Sequence, residues 1–155
     1  MYDVEVTREF NAPVGRVWEA WSTPEGIRAW WGPGPFTCPH AEVDLRPGVS
    51  ALVAMRAPEE FGGGDQWAVW DFTDVEPGRR FEYVFRFTDE NGAPTPPPME
   101  GIPADGRHEV VFEDLGGRTR MRMVEHGYTT PEARDMSREG LEACLDKMDA
   151  HVTGG

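Results

Sequence analysis

The sequence predicts an α+β fold in which a curved antiparallel sheet of six or seven strands wraps around one long C-terminal helix. Three observations lead to this prediction. One strand-like segment is followed by two short helical segments, six segments with a two-residue apolar period come next, and a long amphipathic segment closes the chain. The 155 residues suit a single domain that spans 1–155.

The first strand and the two short helices are predicted from a change of period. "DVEVTREF" alternates as a strand does, whereas the apolar residues that follow recur at i, i+3, i+4 and i+7, namely Val14, Val17, Trp18 and Trp21. A second helix begins at Pro24, because Thr23 is a suitable cap and proline suits the first helical position. The glycines and prolines of residues 32–35 end it.

Six further strands are predicted from two-residue alternation, at 41–46, 49–56, 65–76, 80–89, 107–114 and 118–127. Most of the links between them are short and rich in glycine, which favours antiparallel neighbours. The exception is the proline-rich segment 90–106, which is longer than a hairpin needs. Because loops of this length are often functional covers, we expect it to close over a site.

The C-terminal helix is predicted over 131–152, with Thr130 as its cap and Pro131 in its first turn. One face of it carries the apolar stripe Met136, Gly140, Leu141, Cys144, Leu145, Met148 and Val152. This face has to be buried against the sheet.

Composition excludes several classes of function. A net charge of −13 argues against nucleic acid as a partner, because phosphate binding needs a basic face. No apolar run is long enough to span a membrane, and the N-terminus has no secretory signal. Cys38 and Cys144 follow no disulfide or metal-site spacing, so we expect a cytoplasmic protein with two buried reduced thiols. We also expect it to be a monomer or a homodimer.

Several segments carry a family resemblance. "VTREFNAPVGRVWEAWSTPEGIRAWWGP", "AEVDLRPG", "VEPGRRFEY", "VVFEDLGGRTRMRM" and "EGLEACLDKM" resemble the bacterial homologues of the activator of the heat-shock protein 90 ATPase, which are members of the START/Bet v1-like (SRPBCC) superfamily. The resemblance implies a helix-grip fold. It also implies a small hydrophobic ligand (aromatic, acyl or lipid-like) held between the sheet and the long helix, without a cofactor.

Two alternatives to ligand binding stay open. The same cavity would suit an aromatase/cyclase-like or hydrolase-like enzyme, as in a few branches of the superfamily. The chain would otherwise be a protein-interaction, co-chaperone-like module that uses an exposed surface at Trp30 and Trp31.

Strand parity assigns residues to the expected cavity. The apolar faces of strands 80–89, 107–114 and 118–127 have to meet the apolar stripe of the long helix, and such faces are compatible either with a filled core or, as the resemblance favours, with an open cavity. The predicted ligand-binding residues are Trp30, Trp67, Phe85, His108, Phe112, Met121, Met123, Leu141, Cys144 and Met148.

The adjacent Trp30 and Trp31 are expected to play different roles. Neighbouring residues on a helix point about 100° apart, so both cannot face one core. Trp30 shares a face with Ile27 and is expected inward at the mouth of the cavity, with Trp31 partly exposed.

His108 and Asp71 are the two weak candidates for acid/base chemistry. His108 is the one histidine in register with an apolar face, where a hydrogen-bonded core residue is the more frequent role. Asp71 would lie in an aromatic pocket if its face of the strand 65–76 is the inner one, which parity leaves open. Asp44 is expected to pair with Arg46, and no histidine spacing indicates a metal site.

Overall fold

The computed structural model describes residues 1–154, and its elements follow the predicted order. They are β1 (Tyr2–Phe10), α1 (Val14–Ser22), α2 (Pro24–Trp30), β2 (Thr37–Glu42), β3 (Ser50–Arg56), β4 (Asp65–Glu76), β5 (Arg80–Thr88), β6 (Gly106–Asp114), β7 (Thr119–Tyr128) and α3 (Pro131–Thr153). The predicted fold class, an α+β helix-grip fold, is confirmed.

All seven strands form one antiparallel sheet in the order β1-β7-β6-β5-β4-β3-β2. The first two strands of the chain therefore lie at opposite edges of the sheet. The α1–α2 segment connects these edges, and buried residues of both helices join the same apolar core as the inner face of the sheet.

Both proline-started helices begin as the sequence predicts. The Thr23 hydroxyl accepts a hydrogen bond from the Gly26 amide at 2.9 Å at the start of α2. The Thr130 hydroxyl accepts one from the Ala133 amide at 3.1 Å at the start of α3. Each cap satisfies an amide that has no partner within its own helix.

One predicted strand is placed wrongly. The strand expected at 41–46 is found at Thr37–Glu42, and it includes Pro39. Proline is tolerated there because β2 is an edge strand, where a missing N–H need not break the sheet. The following residues turn instead, and the Arg46 Nε donates to Asp44 Oδ1 at 2.8 Å, which is the pair that the sequence predicts.

The two faces of the sheet differ sharply in chemistry. The inner face is apolar, as the buried residues of β7 and β5 show, including Met121, Met123 and Phe81. The outer face carries ion pairs between neighbouring strands, for example Arg120 with Glu113 at 2.7 Å and Arg122 with Glu5 at 3.0 Å. This contrast determines which side of the sheet can hold an apolar molecule.

The tryptophans of α1 and α2 fill one half of the concave face. The ring of Trp21 lies 4.6 Å from that of Trp30 and 5.1 Å from that of Phe81, between ring centroids. The Trp30 indole donates to the Ala20 carbonyl at 2.8 Å, which satisfies its polar atom in the core. These rings form a packed aromatic wall beside the remaining, open half.

Candidate ligand-binding cavity

A cavity of about 330 Å³ lies in the open half, between the inner face of β5, β6 and β7 and the N-terminal half of α3. Its wall is mostly aromatic and aliphatic. Met136 and Gly140 lie on this half of α3 and line the cavity. Met136 is 57% exposed, so the apolar stripe of the helix is not packed against a filled core here. The fold therefore leaves a space that the helix covers without filling.

Six of the ten predicted ligand-binding residues lie in this wall. They are Trp30, Phe85, His108, Met123, Leu141 and Cys144. They come from α2, β5, β6, β7 and α3, so residues that are distant in sequence meet because the sheet curves around the helix.

Three other predicted residues face inward but lie in packed core. Phe112 and Trp18 meet edge to face with ring centroids 5.6 Å apart, and Met121 accepts the Trp21 indole N–H at its sulfur at 3.4 Å. Met148 is fully buried in the same core. Parity gives the face of a strand correctly here, but it does not give the position along the cavity.

Trp67, which the sequence predicts as a ligand-binding residue, does not lie in the wall of this cavity. The buried residues of β4 are Ala68, Trp70 and Phe72, so Trp67 points to the other face, where its ring lies 5.2 Å from that of His40. Aromatic residues thus occur on both faces of this strand, with Trp70 and Phe72 on the inner face and Trp67 on the outer one.

Asp71 also lies on the outer face and not in an aromatic pocket. Its carboxylate accepts hydrogen bonds from Ser50 and Arg86. A carboxylate that is held by a guanidinium outside the cavity cannot act on a molecule within it.

Trp30 is buried and Trp31 is partly exposed, as expected, but both of them line the cavity. Trp31 is the C-cap of α2, with extended backbone angles of φ −73° and ψ 117°. Because it has left the helix, the 100° rule does not apply, and its ring lies 5.8 Å from that of Trp30 and 6.1 Å from that of Phe85.

The proline-rich segment 90–106 contributes one side of the cavity. Pro98, Ile102 and Pro103 lie in the wall. The Thr129 amide donates a hydrogen bond to the Gly101 carbonyl at 2.9 Å and so holds the segment next to the start of α3. The expected cover is thus part of the site.

A group of polar side chains lies among these apolar residues. The His108 Nδ1 lies 3.1 Å from the Tyr83 hydroxyl, and the Tyr128 hydroxyl donates to Glu125 Oε1 at 2.7 Å. The His108 Nδ1 and Glu125 Oε2 are 3.8 Å apart, which is beyond a hydrogen bond. All four residues are buried.

Sequence reasoning missed Glu125, Tyr83 and Tyr128 as polar residues of the site. Glu125 has the same parity as Met121 and Met123 on β7, and this was the signal that could have identified it. A glutamate at the end of an inward apolar series is unusual, because a buried charge is costly unless it is paired.

Burial changes the proton affinity of the groups in the wall. It lowers the pKa of His108, since desolvation disfavours the imidazolium more than the nearby Glu125 favours it. It raises the pKa of the Tyr83 phenol well above its ordinary value and that of the Cys144 thiol to about 11. At neutral pH the imidazole, the phenol and the thiol are therefore all uncharged.

Two further features bear on the class of site. Within residues 1–154, no cluster of three or more histidine, cysteine, aspartate or glutamate side chains is arranged to hold a metal ion. None of the helices in the same range combines the length and apolar character that a membrane crossing requires.

Comparison with solved structures gives the same architecture. A protein from Arthrobacter aurescens is 28% identical, with a TM-score of 0.81, and the match covers 99% of this chain and 87% of that one. Protein Ms6760 from Mycobacterium smegmatis is 26% identical, with a TM-score of 0.79 over 99% and 91% of the two chains. The AHSA1 protein from Silicibacter pomeroyi, 18% identical with a TM-score of 0.77 over 96% of each chain, shows the fold alone.

Of the two sequence comparisons, only the one with family profiles gives a match. No curated protein matches the chain significantly. The profile of one family, described as activator of Hsp90 ATPase homolog 1-like protein, matches residues 11–153, which include both short helices, the six strands that follow and α3. The chain therefore belongs to the activator of Hsp90 ATPase homolog 1-like family.

Proposed function

We propose that this protein binds a small, largely apolar, ring-containing molecule between α3 and the inner face of the sheet. The observation that carries the proposal is the cavity of about 330 Å³ with a mainly aromatic and aliphatic wall. Binding pockets for small molecules are typically concave, mostly apolar and provided with a few polar groups, and this cavity has each of these properties.

The packing around the cavity supports a role for the space itself. The neighbouring half of the concave face is filled tightly by Trp21, Trp30 and Phe81. The apolar wall of the open half stays in contact with solvent, and such exposure is unfavourable relative to burial. An apolar ligand would remove this surface from water.

An aromatase/cyclase-like or hydrolase-like reaction is the second candidate, and one observation favours it. His108 lies in the cavity wall with a neutral imidazole, as an acid/base residue would. Binding alone is better supported, because the His108 Nδ1 contacts the Tyr83 hydroxyl instead of a carboxylate, and the high pKa of Cys144 makes it a poor nucleophile.

The interaction-module alternative has less support. It needs an exposed pair of tryptophans, yet Trp30 is only 1% exposed. We propose a cytoplasmic location, because the two cysteines are free and a reducing compartment would keep them so. The net charge of −13 makes a nucleic-acid partner unfavourable.

Titration with N-phenyl-1-naphthylamine tests the proposed function. This neutral dye fluoresces in apolar surroundings, and three tryptophans of the wall (Trp21, Trp30 and Trp31) are close enough to transfer energy to it. We expect saturable dye emission on tryptophan excitation, with one dye per chain and a dissociation constant on the order of micromolar. Emission that rises without saturation, or no emission, would contradict the proposal.

A further inference from the structure

Glu125 is the one formally charged side chain among the residues that line the cavity. The wall contains no lysine or arginine, and its histidine, His108, is neutral because burial lowers its pKa. The Glu125 side chain is only 10% exposed. A buried carboxylate therefore faces an aromatic cavity without a positive partner from the residues of the wall.

The two oxygens of Glu125 differ in their contacts. Oε1 accepts the Tyr128 hydroxyl at 2.7 Å. Oε2 makes no hydrogen bond to any residue in the range 1–154. The nearest nitrogen of a basic side chain is His108 Nδ1, 3.8 Å away. Oε2 is not among the fully buried polar atoms that lack a partner, so it is accessible from the cavity and can bind a ligand group that brings a positive charge and a hydrogen-bond donor.

The aromatic rings of the cavity wall favour the same charge. Trp31, Tyr83, Phe85 and Tyr128 lie in the wall with Glu125, and the faces of aromatic rings attract cations. The net charge of −13 also raises the local concentration of cations around the protein and lowers that of anions.

We infer that the cavity selects apolar aromatic amines, with the ammonium group bound to Glu125 Oε2 and the ring system among the aromatic side chains, and that it rejects carboxylates of the same shape. This inference rests on the proposed function, since it names the chemical class of the ligand for the same cavity.

Three naphthalenes that differ only in one substituent test the inference at neutral pH. They are 1-naphthylmethylamine, 1-naphthalenemethanol and 1-naphthoic acid, measured by displacement of N-phenyl-1-naphthylamine. We expect the amine to bind at least about 10-fold more tightly than the alcohol, as a hydrogen bond to a charged group implies, and the acid to bind more weakly than both.

The Glu125→Gln variant should remove this selectivity while keeping the shape of the side chain. The amine is expected to lose about 10-fold in affinity, the alcohol to change little, and the acid to gain. Glu109→Gln is the matched control, since Glu109 is on the adjacent strand but pairs with His126, away from the cavity. It should leave the order of the three ligands unchanged.

The outcomes separate the inference from the proposed function. Dye uptake without preference for the amine over the alcohol and the acid, or a preference that survives Glu125→Gln, would overturn the inference alone. Absence of dye uptake by the unmodified protein would overturn the proposed function as well. If Glu125→Gln does not fold, the order of the three ligands on the unmodified protein still decides, because any order in which the amine is not the tightest ligand overturns the inference.

Discussion

Replacement of Gly140 by Phe is expected to abolish dye binding while the protein stays folded. Gly140 lies on α3 in the wall of the cavity, and a Cβ built on it meets no atom within 4 Å. A phenyl ring at this position would enter the space that the dye needs. Since glycine weakens a helix interior by about 1 kcal/mol relative to better helix formers, the free energy of unfolding should stay the same or rise.

Gly140→Ala is the control that separates helix propensity from filling of the cavity. It brings the same relief of backbone entropy with a side chain too small to fill the space, so it should stabilise the helix and keep dye binding. Dye titration and chemical denaturation of the three proteins check both quantities. Undiminished dye binding by Gly140→Phe would show that the dye binds elsewhere.

Replacement of Gly26 by Ala is expected to cost about 3 kcal/mol in the free energy of unfolding. Gly26 is where α2 crosses α1, and a Cβ on it would lie 2.5 Å from the Glu19 carbonyl oxygen and 2.7 Å from the Ala20 Cα. Both are backbone atoms, so the helices would have to separate. Because α2 ends at Trp30, this movement would also displace the aromatic wall of the cavity.

Gly15→Ala is the matched control for this substitution. Gly15 is in α1, is exposed, and a Cβ on it meets nothing within 4 Å, so its replacement should leave stability equal or slightly higher. Urea denaturation measures both variants. A loss of less than about 0.5 kcal/mol for Gly26→Ala would mean that the two helices are not in the close contact described above.

The sequence was sufficient to predict the fold because local signals agreed with one another. Thr23 with Pro24 and Thr130 with Pro131 mark two helix starts, and the change from a period of 3.6 to a period of 2 marks the sheet. Each signal depends only on residues that are close in sequence, so it can be recognised without knowledge of the tertiary structure.

The site was less predictable because it depends on depth and on both faces of a strand. Met121 and Met123 share parity on β7, yet only Met123 lines the cavity, because Trp21 of α1 packs against Met121. On β4 aromatic residues occupy both faces, so alternation could not place Trp67 or Asp71. Contacts between distant segments decide these cases, and no local pattern records them.

The polar side chains of the cavity were also difficult to predict from the sequence. A sequence pattern predicts glutamate to be exposed, and Glu125 is buried because β7 carries it inward beside Tyr128 and His108. Its parity with the inward methionines was readable, but its lack of a positive partner in the wall is a property of the folded chain.

Diffraction from crystals grown with 2-bromonaphthalene tests the central claim most directly, because the anomalous signal of bromine locates the ligand without reference to the protein atoms. The proposed function predicts one dominant bromine peak in van der Waals contact, at roughly 4 Å, with the side chains of Met123 and Leu141 in the cavity wall. Bromine peaks only on the outer face of the sheet, or a cavity that stays free of bromine in crystals where solvent reaches it, would contradict the claim that this protein binds apolar molecules between α3 and the sheet.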